Sequence, residues 1–493
     1  MKYIKIHQRD NVAVALSDIA KGERITTEDG SIEVLEDVAR GHKIALVNIK
    51  EGSPVIKYGN EIGIAKSDIG SGQWVHTHNV RTSLSEDAEY VYEPVFYDLP
   101  KAEERFFMGY KRPDGKTGIR NEIWIIPTVG CVNRIAENLV NSNKELVKGS
   151  VEGLYTFTHP FGCSQMGDDH ATTRKLLAAL VRHPNAGGVL VLSLGCENLT
   201  TEQFKAELGE WNEKRVKFLT CQDVEDEIEE GSRLLKEIAD YVGTFKRERI
   251  SASELIVGMK CGGSDGLSGV TANPVVGRFS DRLIALGGST VLTEVPEMFG
   301  AESILFNRCK NADIFEKAVK MVNDFKQYFV SHGQVVYENP SPGNKAGGIT
   351  TLEDKSCGCV QKGGSAEITD VLEYAGEVTK KGLSLLSGPG NDMVSTTDLT
   401  AAGVHMILFT TGRGTPFGAP APTLKISTNT ALYEKKGNWI DFNAGGVAQG
   451  KETLDEAGER LLDLVLETAS GKLTRCEENG YREISIFKDG VTL

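Results

Sequence analysis

Polar, glycine-rich stretches follow most of the short apolar runs in the second half of this chain. The stretches are Cys261-Gly-Gly-Ser264-Asp265, Glu294-Val-Pro-Glu297, Gly388-Pro-Gly390-Asn391 and Thr411-Gly-Arg413-Gly414. Each preceding run has the length and composition of a strand that is buried on both faces. Ligands of open parallel sheets bind beyond the carboxyl ends of the strands, so we expect these stretches to form an active site.

The candidates for acid–base chemistry are Glu294, Glu297, Asp265 and His170. Carboxylates and imidazoles are the side chains that most often transfer protons in enzymes. Plainer interpretations exist for three of them. The two glutamates could simply begin a helix at Pro296, and His170 could be an ordinary residue in the first turn of a helix.

The candidates for substrate binding are Arg413, Lys345, Ser264 and Asn391. An arginine between two glycines, on a loop that follows a strand, suits bidentate capture of a carboxylate. The alternative for Arg413 is a salt bridge between loops. Lys345, within Pro342-Gly-Asn-Lys345-Ala-Gly-Gly348, is either a second anion ligand or a turn residue.

Three cysteines, Cys163, Cys196 and Cys261, each follow a predicted strand. Thiolates from three loops could hold an iron–sulfur cluster with one open iron, or a single soft metal ion. No Cys-x-x-Cys spacing supports a metal site, and burial as a small apolar side chain is the commoner fate of a free cysteine. The pair Cys357-Gly-Cys359 is spaced too closely for a good tetrahedral chelate and is consistent with a turn.

His76 and His78 are separated by one residue. On a strand both side chains would point to the same face, where they could bind one metal ion or one anion. The alternative is an exposed pair on that face. The module that carries them could also close over the active site as a lid.

Composition limits the classes of function. The chain has 493 residues, 54 of them glycine, and a formal net charge of −14. The acidic excess disfavours general nucleic-acid binding, and the absence of Gly-x-Gly-x-x-Gly and Walker A motifs disfavours a nicotinamide or ATP enzyme. Because we find neither a signal-peptide core nor a run of about 18 apolar residues, we expect a cytoplasmic protein without membrane contact.

The length predicts two or three domains. Residues 1–82 are typical of a β module, in which a short phrase recurs three times and ends each time in a turn glycine: Gly22, Gly52 and Gly72. Residues 83–105 are acidic, aromatic and aperiodic, which indicates a linker. Residues 106–247 predict a middle α/β domain, and residues 248–493 predict a C-terminal domain with a mostly parallel, doubly wound sheet.

Hydrophobic periodicity places the main elements of the two α/β domains. The predicted strands are residues 123–127, 154–157, 188–194, 255–259, 290–293, 383–386, 406–410 and 424–427. The predicted helices are residues 171–182, 223–247, 274–286, 313–330 and 453–468.

Seven phrases spread along the chain resemble those of the altronate/galactarate dehydratase family. They are His76-Thr-His78-Asn79, Gly118-Ile-Arg-Asn-Glu122, Gly162-Cys-Ser-Gln165, Gly195-Cys-Glu197, Cys261-Gly-Gly-Ser-Asp-Gly-Leu-Ser-Gly269, Pro342-Gly-Asn-Lys-Ala-Gly-Gly348 and Thr411-Gly-Arg-Gly-Thr-Pro416. The resemblance extends over essentially the whole chain, and the phrases are long and numerous, which makes them specific.

The resemblance implies an N-terminal β-clip (SAF-like) module, a middle α/β domain and a Rossmann-like C-terminal domain without the dinucleotide fingerprint. It implies dehydration of a sugar acid in hexuronate catabolism, with D-altronate giving 2-dehydro-3-deoxy-D-gluconate, or the same chemistry on a relative such as galactarate. It also implies a requirement for Fe²⁺ or Mn²⁺ under reducing conditions, and a homodimer. A sugar-acid-binding protein without catalysis is the alternative from another functional class.

Overall fold

The computed structural model describes residues 2–27, 30–84, 90–336 and 339–493. In this part of the chain, the N-terminal module has antiparallel strands in three small sheets, ordered β1-β2-β5-β8, β3-β4 and β6-β7-β9. These strands are β1 (Tyr3–Ile4), β2 (Val12–Ala15), β3 (Arg24–Thr27), β4 (Gly30–Glu33), β5 (Lys43–Ala45), β6 (Pro54–Lys57), β7 (Asn60–Ala65), β8 (Trp74–Val75) and β9 (Val80–Arg81). Gly22, Gly52 and Gly72 all have positive φ, between 75° and 85°, which explains why glycine ends each copy of the recurring phrase.

The middle domain is a parallel sheet of four strands in the order β13-β12-β14-β15, with helices on both faces. A smaller antiparallel sheet, β11-β10-β16, joins its ends to the C-terminal domain. The strands are β10 (Phe106–Lys111), β11 (Thr117–Gly118), β12 (Glu122–Pro127), β13 (Gly153–Thr156), β14 (Ala186–Ser193), β15 (Val216–Thr220) and β16 (Glu248–Ser251). The helices are α1 (Asn133–Ser142), α2 (Gly167–Arg182), α3 (Thr201–Leu208) and α4 (Glu227–Val242).

The C-terminal domain contains a seven-stranded parallel sheet in the order β19-β20-β18-β17-β21-β22-β23. Its strands are β17 (Ile256–Cys261), β18 (Ser289–Leu292), β19 (Ile368–Leu372), β20 (Gly382–Leu386), β21 (Met406–Thr411), β22 (Thr423–Ser427) and β23 (Phe442–Asn443). Its helices are α5 (Ala272–Ala285), α6 (Glu302–Phe306), α7 (Ala312–Ser331), α8 (Pro342–Ala346), α9 (Leu352–Cys359), α10 (Asp392–Ala401), α11 (Thr430–Lys435), α12 (Gly445–Ala448), α13 (Leu454–Ala469) and α14 (Arg475–Glu478).

The mostly parallel sheet predicted for the C-terminal domain is confirmed. Two helix boundaries differ from the prediction. The helix predicted over 223–247 begins only at Glu227, because the Asp226 side chain accepts hydrogen bonds from two backbone N–H groups of the first turn. The helix predicted from 171 begins four residues earlier, at Gly167. No helix among the described residues is both long enough and apolar enough to cross a bilayer.

The two parallel sheets are joined at their amino ends. His183 and Asn185, just before β14, form hydrogen bonds to the carbonyl oxygens of Val404 and His405, just before β21, at 3.0 and 2.9 Å. The last turns of α2 and α10 also belong to one apolar cluster. The two sheets therefore contact each other at the ends where these strands begin.

Candidate functional site

The ends of β17 and β18 bring two carboxylates, a lysine and a thiol together below the surface. The ammonium of Lys260 lies 3.0 Å from Glu294 Oε1, and the backbone N–H of Cys261 donates to Glu294 Oε2 at 3.0 Å. The thiol of Cys261 donates to Glu297 Oε2 at 2.8 Å. Glu294 itself has φ of 72°, a strained left-handed conformation that persists only where its surroundings fix it.

The segment from α9 onward closes this cluster from the other side. Lys355 Nζ lies 2.8 Å from Glu297 Oε1, and Lys362 Nζ lies 3.2 Å from the sulfur of Cys261. The sulfurs of Cys359 and Cys261 are 3.5 Å apart. All of these side chains are buried, so their charges interact strongly. Glu294 Oε1 accepts no hydrogen bond from the described residues, and its contact is the ion pair with Lys260.

Burial and neighbouring charges separate the pKa values of the two carboxyls. Burial, reinforced by the charge of Glu297, raises the pKa of Glu294 well above its usual value, which favours its protonated form. Burial alone would also raise the pKa of Glu297, but Lys355 and Lys362 outweigh it and hold that carboxyl ionised. A hydrogen bond from Cys359, with help from the same lysines, lowers the pKa of Cys261 to about 7. Proton donors and acceptors with separated pKa values are typical of acid–base sites.

A cavity of about 380 Å³ opens onto this cluster, within the size range of small-molecule sites. Its lining residues come from six segments of the C-terminal domain and include both polar and apolar side chains. The lining side chains that can bind or react are Cys261, Ser264, Glu297, Asn339, Ser341, Asn344, Lys355 and Asp392. Among the described lining residues Lys355 is the single cation, so the cavity suits a small polyhydroxylated ligand with one negative end.

A larger cavity, of about 810 Å³, lies beside α7, the ends of β19 and β20, and Phe487. Its walls combine apolar side chains with lysines such as Lys175 and Lys317, but they do not include the buried acid–base cluster. Because catalysis needs proton-transfer groups in contact with the ligand, we assign the chemistry to the smaller cavity.

Ser264, Asp265 and Asn391 all lie around the smaller cavity, in different roles. Ser264 lines it, and its carbonyl accepts from Asn344 Nδ2 at 2.8 Å. Asp265 is half-buried, and its carboxylate accepts from the N–H of Leu267 and from Thr428, which fixes the glycine loop. Asn391 caps the start of α10. Asp265 and Asn391 thus shape the site.

Arg413 and Lys345 lie outside the lining of the cavity. The guanidinium of Arg413 is exposed and donates to the carbonyl of Gly343 at 2.9 Å, which ties two loops together. Lys345 is half-buried in the short helix α8. Their predicted roles in holding a carboxylate therefore remain predictions. Lys355, which was not among the predicted residues, is the lysine that lines the cavity.

Matches to known families cover the chain from end to end. Residues 1–83 match the altronate/galactarate dehydratase SAF domain, residues 109–243 match the second domain of D-galactarate dehydratase/altronate hydrolase, and residues 252–492 match the C-terminal domain of D-galactarate/altronate dehydratase. This chain belongs to the altronate/galactarate dehydratase family. The resemblance inferred from the seven phrases is confirmed, as is the SAF-type N-terminal module.

Named members of the family are similar over their full length. The chain is 54% identical to altronate dehydratase of Escherichia coli (strain K12), over 100% of both chains. It is 55% identical to altronate dehydratase of Bacillus subtilis (strain 168), over 100% of this chain and 99% of the relative. Galactarate dehydratase (L-threo-forming) of Escherichia coli is 33% identical, over 95% of this chain and 93% of the relative.

In this member of the family the strand geometry predicted for His76 and His78 is wrong. Residues 76–79 form a turn that is closed by a hydrogen bond from Asn79 N to His76 O. Both histidine rings contact Trp74, with ring centroids 5.4 and 4.8 Å from that of the indole. His76 is buried with its ring centroid 5.0 Å from that of His42, whereas His78 is exposed beside Trp74. Desolvation lowers the pKa of His76 to about 4, so it is neutral at pH 7.

The SAF module is held firmly against the C-terminal domain. Lys43 and Lys57 both pair with Asp354 of α9, at 2.8 and 2.9 Å, and all three side chains are buried. The same helix supplies Lys355 to the cavity. A buried ion triad of this kind fixes one arrangement of its elements, so the module buttresses α9 in this structure.

Cys163, Cys196 and Cys261 do not form one group. Cys261 is buried in the C-terminal cluster, whereas Cys163 and Cys196 are exposed at the carboxyl ends of the middle sheet. His170 belongs with them, because its ring lies 3.2 Å from the carbonyl of Asn198 in the Cys196 loop. The predicted three-cysteine set is therefore wrong in Cys261, since β17 belongs to a different sheet.

The described residues include one group whose ligand atoms suit a single ion by distance: Cys261, Glu297 and Cys359 lie within 4.8 Å of one another. The charges do not fit a divalent cation, because Lys362 and Lys355 already contact the sulfur and carboxylate that would bind it. A metal ion would have to displace two ammonium groups from a buried site. We therefore derive no step through a metal at this cluster.

Proposed function

We propose that this chain dehydrates D-altronate to 2-dehydro-3-deoxy-D-gluconate, acting as a carbon–oxygen hydro-lyase in hexuronate catabolism. The observation that carries the proposal is the cavity in which one cation, Lys355, lies beside an ionised carboxylate and a thiol. The full-length similarity to two altronate dehydratases supports the same substrate.

Lys355 would bind the carboxylate of the sugar acid. Removal of the C2 proton spreads negative charge onto that carboxylate, so a fixed ammonium stabilises the transition state more than the bound substrate. The pKa of Lys355 is raised by the charge of Glu297, which overcomes the effect of burial and keeps the ammonium protonated. Lys355 therefore remains a cation during the reaction.

Glu297 and Cys261 would move the two protons. The ionised Glu297 accepts the proton from C2, and the thiol of Cys261 donates its proton to the C3 hydroxyl, which leaves as water. The electron pair of the C2–H bond forms the C2–C3 double bond of an enol, which then becomes the ketone. Glu297 thus gains one proton and Cys261 loses one. Transfer of a proton from Glu297 to the sulfur of Cys261, 2.8 Å away, restores the starting state.

The remaining hydroxyls would contact the amide and hydroxyl groups of the walls. These groups belong to Asn339, Ser341, Asn344, Ser264 and Asp392. A site built from hydrogen-bonding groups rejects ligands that leave those groups unpaired. This is the basis on which the cavity would recognise a polyhydroxylated chain.

Galactarate is the alternative substrate, since a galactarate dehydratase is also a relative. It has a second carboxylate, which would need a second cation at the far end of the cavity. The described lining contains one lysine and no arginine, and the carboxylate of Asp392, which pairs with Lys260, adds no positive charge to it. These charges favour altronate.

The requirement for Fe²⁺ or Mn²⁺, the homodimer and the cytoplasmic location also remain proposals that rest on the family. Metal analysis tests the first of these. Light scattering on the purified full chain tests the second, with twice the mass of one chain as the expected result. Fractionation of the producing cell tests the third.

The reaction is tested by assaying 2-keto acid formation from D-altronate and from galactarate, with the protein purified anaerobically and supplied with Fe²⁺ and reductant. We expect turnover of altronate at least about tenfold faster than of galactarate, the discrimination expected from one unmatched charge. Absence of altronate turnover under these conditions would contradict the proposal, and equal rates would contradict the charge argument.

A further inference from the structure

Three of the nine cysteines are exposed, and all three follow neighbouring strands of the middle sheet. Cys131 follows β12, Cys163 follows β13 and Cys196 follows β14, whereas the other six cysteines are buried. Free cysteine is among the most often buried residue types, so three exposed thiols at one edge of one sheet are unusual. The three strands are parallel, so their following loops gather at the same edge.

The loops that carry these thiols touch one another. Gly130 N donates to Phe161 O at 2.9 Å, which joins the Cys131 and Cys163 loops, and Leu199 N donates to Gly162 O at 3.1 Å, which joins the Cys163 and Cys196 loops. Gly162 lies so close to Thr128 O that a Cβ atom would come within 1.9 Å of it. The backbone therefore holds the Cys163 loop directly against its neighbours.

A buried carboxylate, that of Glu197, links the Cys131 loop to the Cys196 loop. Glu197 accepts from Thr128 Oγ1 at 2.9 Å and from the N–H groups of Leu194 and Gly195, so it joins the end of β12 to the Cys196 loop. Ser164, next to Cys163, has φ of 58°. Strained backbone at a loop that its neighbours over-determine is a mark of a functional position.

Within the described ranges of the chain, the sulfurs of these loops carry no ion pair. Helices α1, α2 and α3 begin two to five residues after Cys131, Cys163 and Cys196, so each thiol loop leads into the partly positive amino end of a helix, although Asp168, Asp169 and Glu202 lie in the first turns of α2 and α3. No lysine or carboxylate is bonded to any of the three sulfurs in the part of the chain that the structure describes. The sulfurs thus remain available as ligands.

The spacing of the sulfurs favours a cluster over a single ion. Among the described residues, three potential ligand atoms lie within 4.8 Å of one another only at Cys261, Glu297 and Cys359. The three sulfurs of Cys131, Cys163 and Cys196 are therefore farther apart than this. A tetrahedral ion with metal–sulfur bonds of about 2.3 Å holds its sulfurs about 3.8 Å apart. An iron–sulfur cluster binds each thiolate through a different iron and spans a wider gap.

We propose that Cys131, Cys163 and Cys196 bind an iron–sulfur cluster through three thiolates, which leaves one iron without a protein thiolate. The assignment replaces Cys261 of the sequence-based set with Cys131. It places the iron that the family resemblance implies in the middle domain, and it holds whether or not the reaction proposed above is correct.

The test is metal content, measured without substrate. The full chain is purified anaerobically as wild type and as five single variants: C131S, C163S, C196S, C261S and C359S. We expect about four irons with matching acid-labile sulfide per chain in the wild type, C261S and C359S. We expect loss of most iron and sulfide in C131S, C163S and C196S. Exposed Cys→Ser changes rarely alter folding. Because a bound cluster stabilises the folded state, thermal unfolding midpoints are compared after a chelator has removed the iron, and they should then be equal.

Two results would overturn the assignment. One is iron and sulfide retained in C131S, C163S and C196S. The other is a single metal ion without sulfide, particularly if C261S or C359S loses it. The electron paramagnetic resonance spectrum of the reduced wild-type protein is a second readout, since a cluster gives a signal that a mononuclear Fe²⁺ site does not reproduce. Failure of altronate turnover would leave all of these results unchanged.

Discussion

Both α/β domains end their parallel strands in loops that carry thiols, yet the two edges have opposite characters. In the C-terminal domain, Cys261 is buried among lysines and glutamates, and its sulfur contacts Glu297 and Lys362. In the middle domain, Cys131, Cys163 and Cys196 are exposed, and their sulfurs contact only neutral polar groups. Similar topology therefore places thiols in two environments, one suited to proton transfer and the other to soft-metal binding.

The difference follows from what covers each edge. The segment from α8 to residue 363 folds over the C-terminal sheet and brings Lys355, Cys359 and Lys362 down onto Cys261. The SAF module contacts the same segment through the buried ion pairs that Lys43 and Lys57 form with Asp354. At the middle sheet, the last residues of the chain contact the Cys163 loop, where Leu493 N donates to Ser164 O. Burial, rather than the thiol itself, decides the chemistry.

The largest expected effect comes from Glu297→Gln. The change removes the proton acceptor while it keeps the shape of the side chain, so kcat for altronate should fall about 10²–10⁴-fold, the usual contribution of acid–base catalysis. Steady-state kinetics measures this. Glu302→Gln is the matched control, because Glu302 is also buried and pairs with a lysine, Lys326, outside the cavity. If both variants lost activity equally, the assignment of Glu297 would fail.

Lys355→Met should have the next largest effect. Loss of one member of a buried ion pair costs about 2–5 kcal/mol, and here part of that loss is binding of the substrate carboxylate. We expect kcat/KM for altronate to fall about 10²-fold or more, with partial recovery in Lys355→Arg. Lys326→Met supplies the control for loss of a buried lysine. An unchanged KM in Lys355→Met would mean that another cation holds the carboxylate.

The pH dependence should identify Cys261. Its pKa of about 7 means that the thiol is lost above pH 7, so kcat/KM should fall tenfold per pH unit in that range. Cys359→Ala removes the hydrogen bond that lowers this pKa, so the inflection should move to higher pH. A pH profile whose alkaline limb stays in place in this variant would show that Cys261 does not donate the proton.

Arg413→Ala should have the smallest effect, below about threefold in kcat/KM, because the guanidinium is exposed and its contact is the carbonyl of Gly343. A loss of a hundredfold in the same assay would restore Arg413 as the carboxylate anchor. Such a result would also move the substrate towards the rim of the cavity and away from the buried cluster.

Much of the fold was predictable because strands buried on both faces appear as short apolar runs. These runs placed Cys261, Glu294 and Glu297 correctly at the ends of β17 and β18. Lys355, Cys359 and Lys362 escaped prediction because they lie in a segment that contacts the sheet only in the folded chain. One signal was present: Lys260 ends an otherwise apolar run, and a lysine at a buried strand position needs a charged partner.

The predicted set of three cysteines shows a limit of predicting sites from the ends of strands. Such reasoning selects loops but not the sheet to which each loop belongs, so Cys261 was grouped with thiols of another domain. Cys131 was missed because it follows β12 after an apolar stretch, Thr128-Val-Gly, rather than after a polar one. Only the strand order β13-β12-β14 shows that its loop lies between the other two strands' loops.

The most direct test of where altronate reacts is a crystal structure of the Glu297→Gln variant with D-altronate bound. We predict that the sugar acid occupies the cavity at β17 and β18, with its carboxylate on Lys355 Nζ and C2 facing the side chain at position 297. Altronate bound instead at the Cys131, Cys163 and Cys196 loops would contradict the division between the two edges and place the reaction in the middle domain.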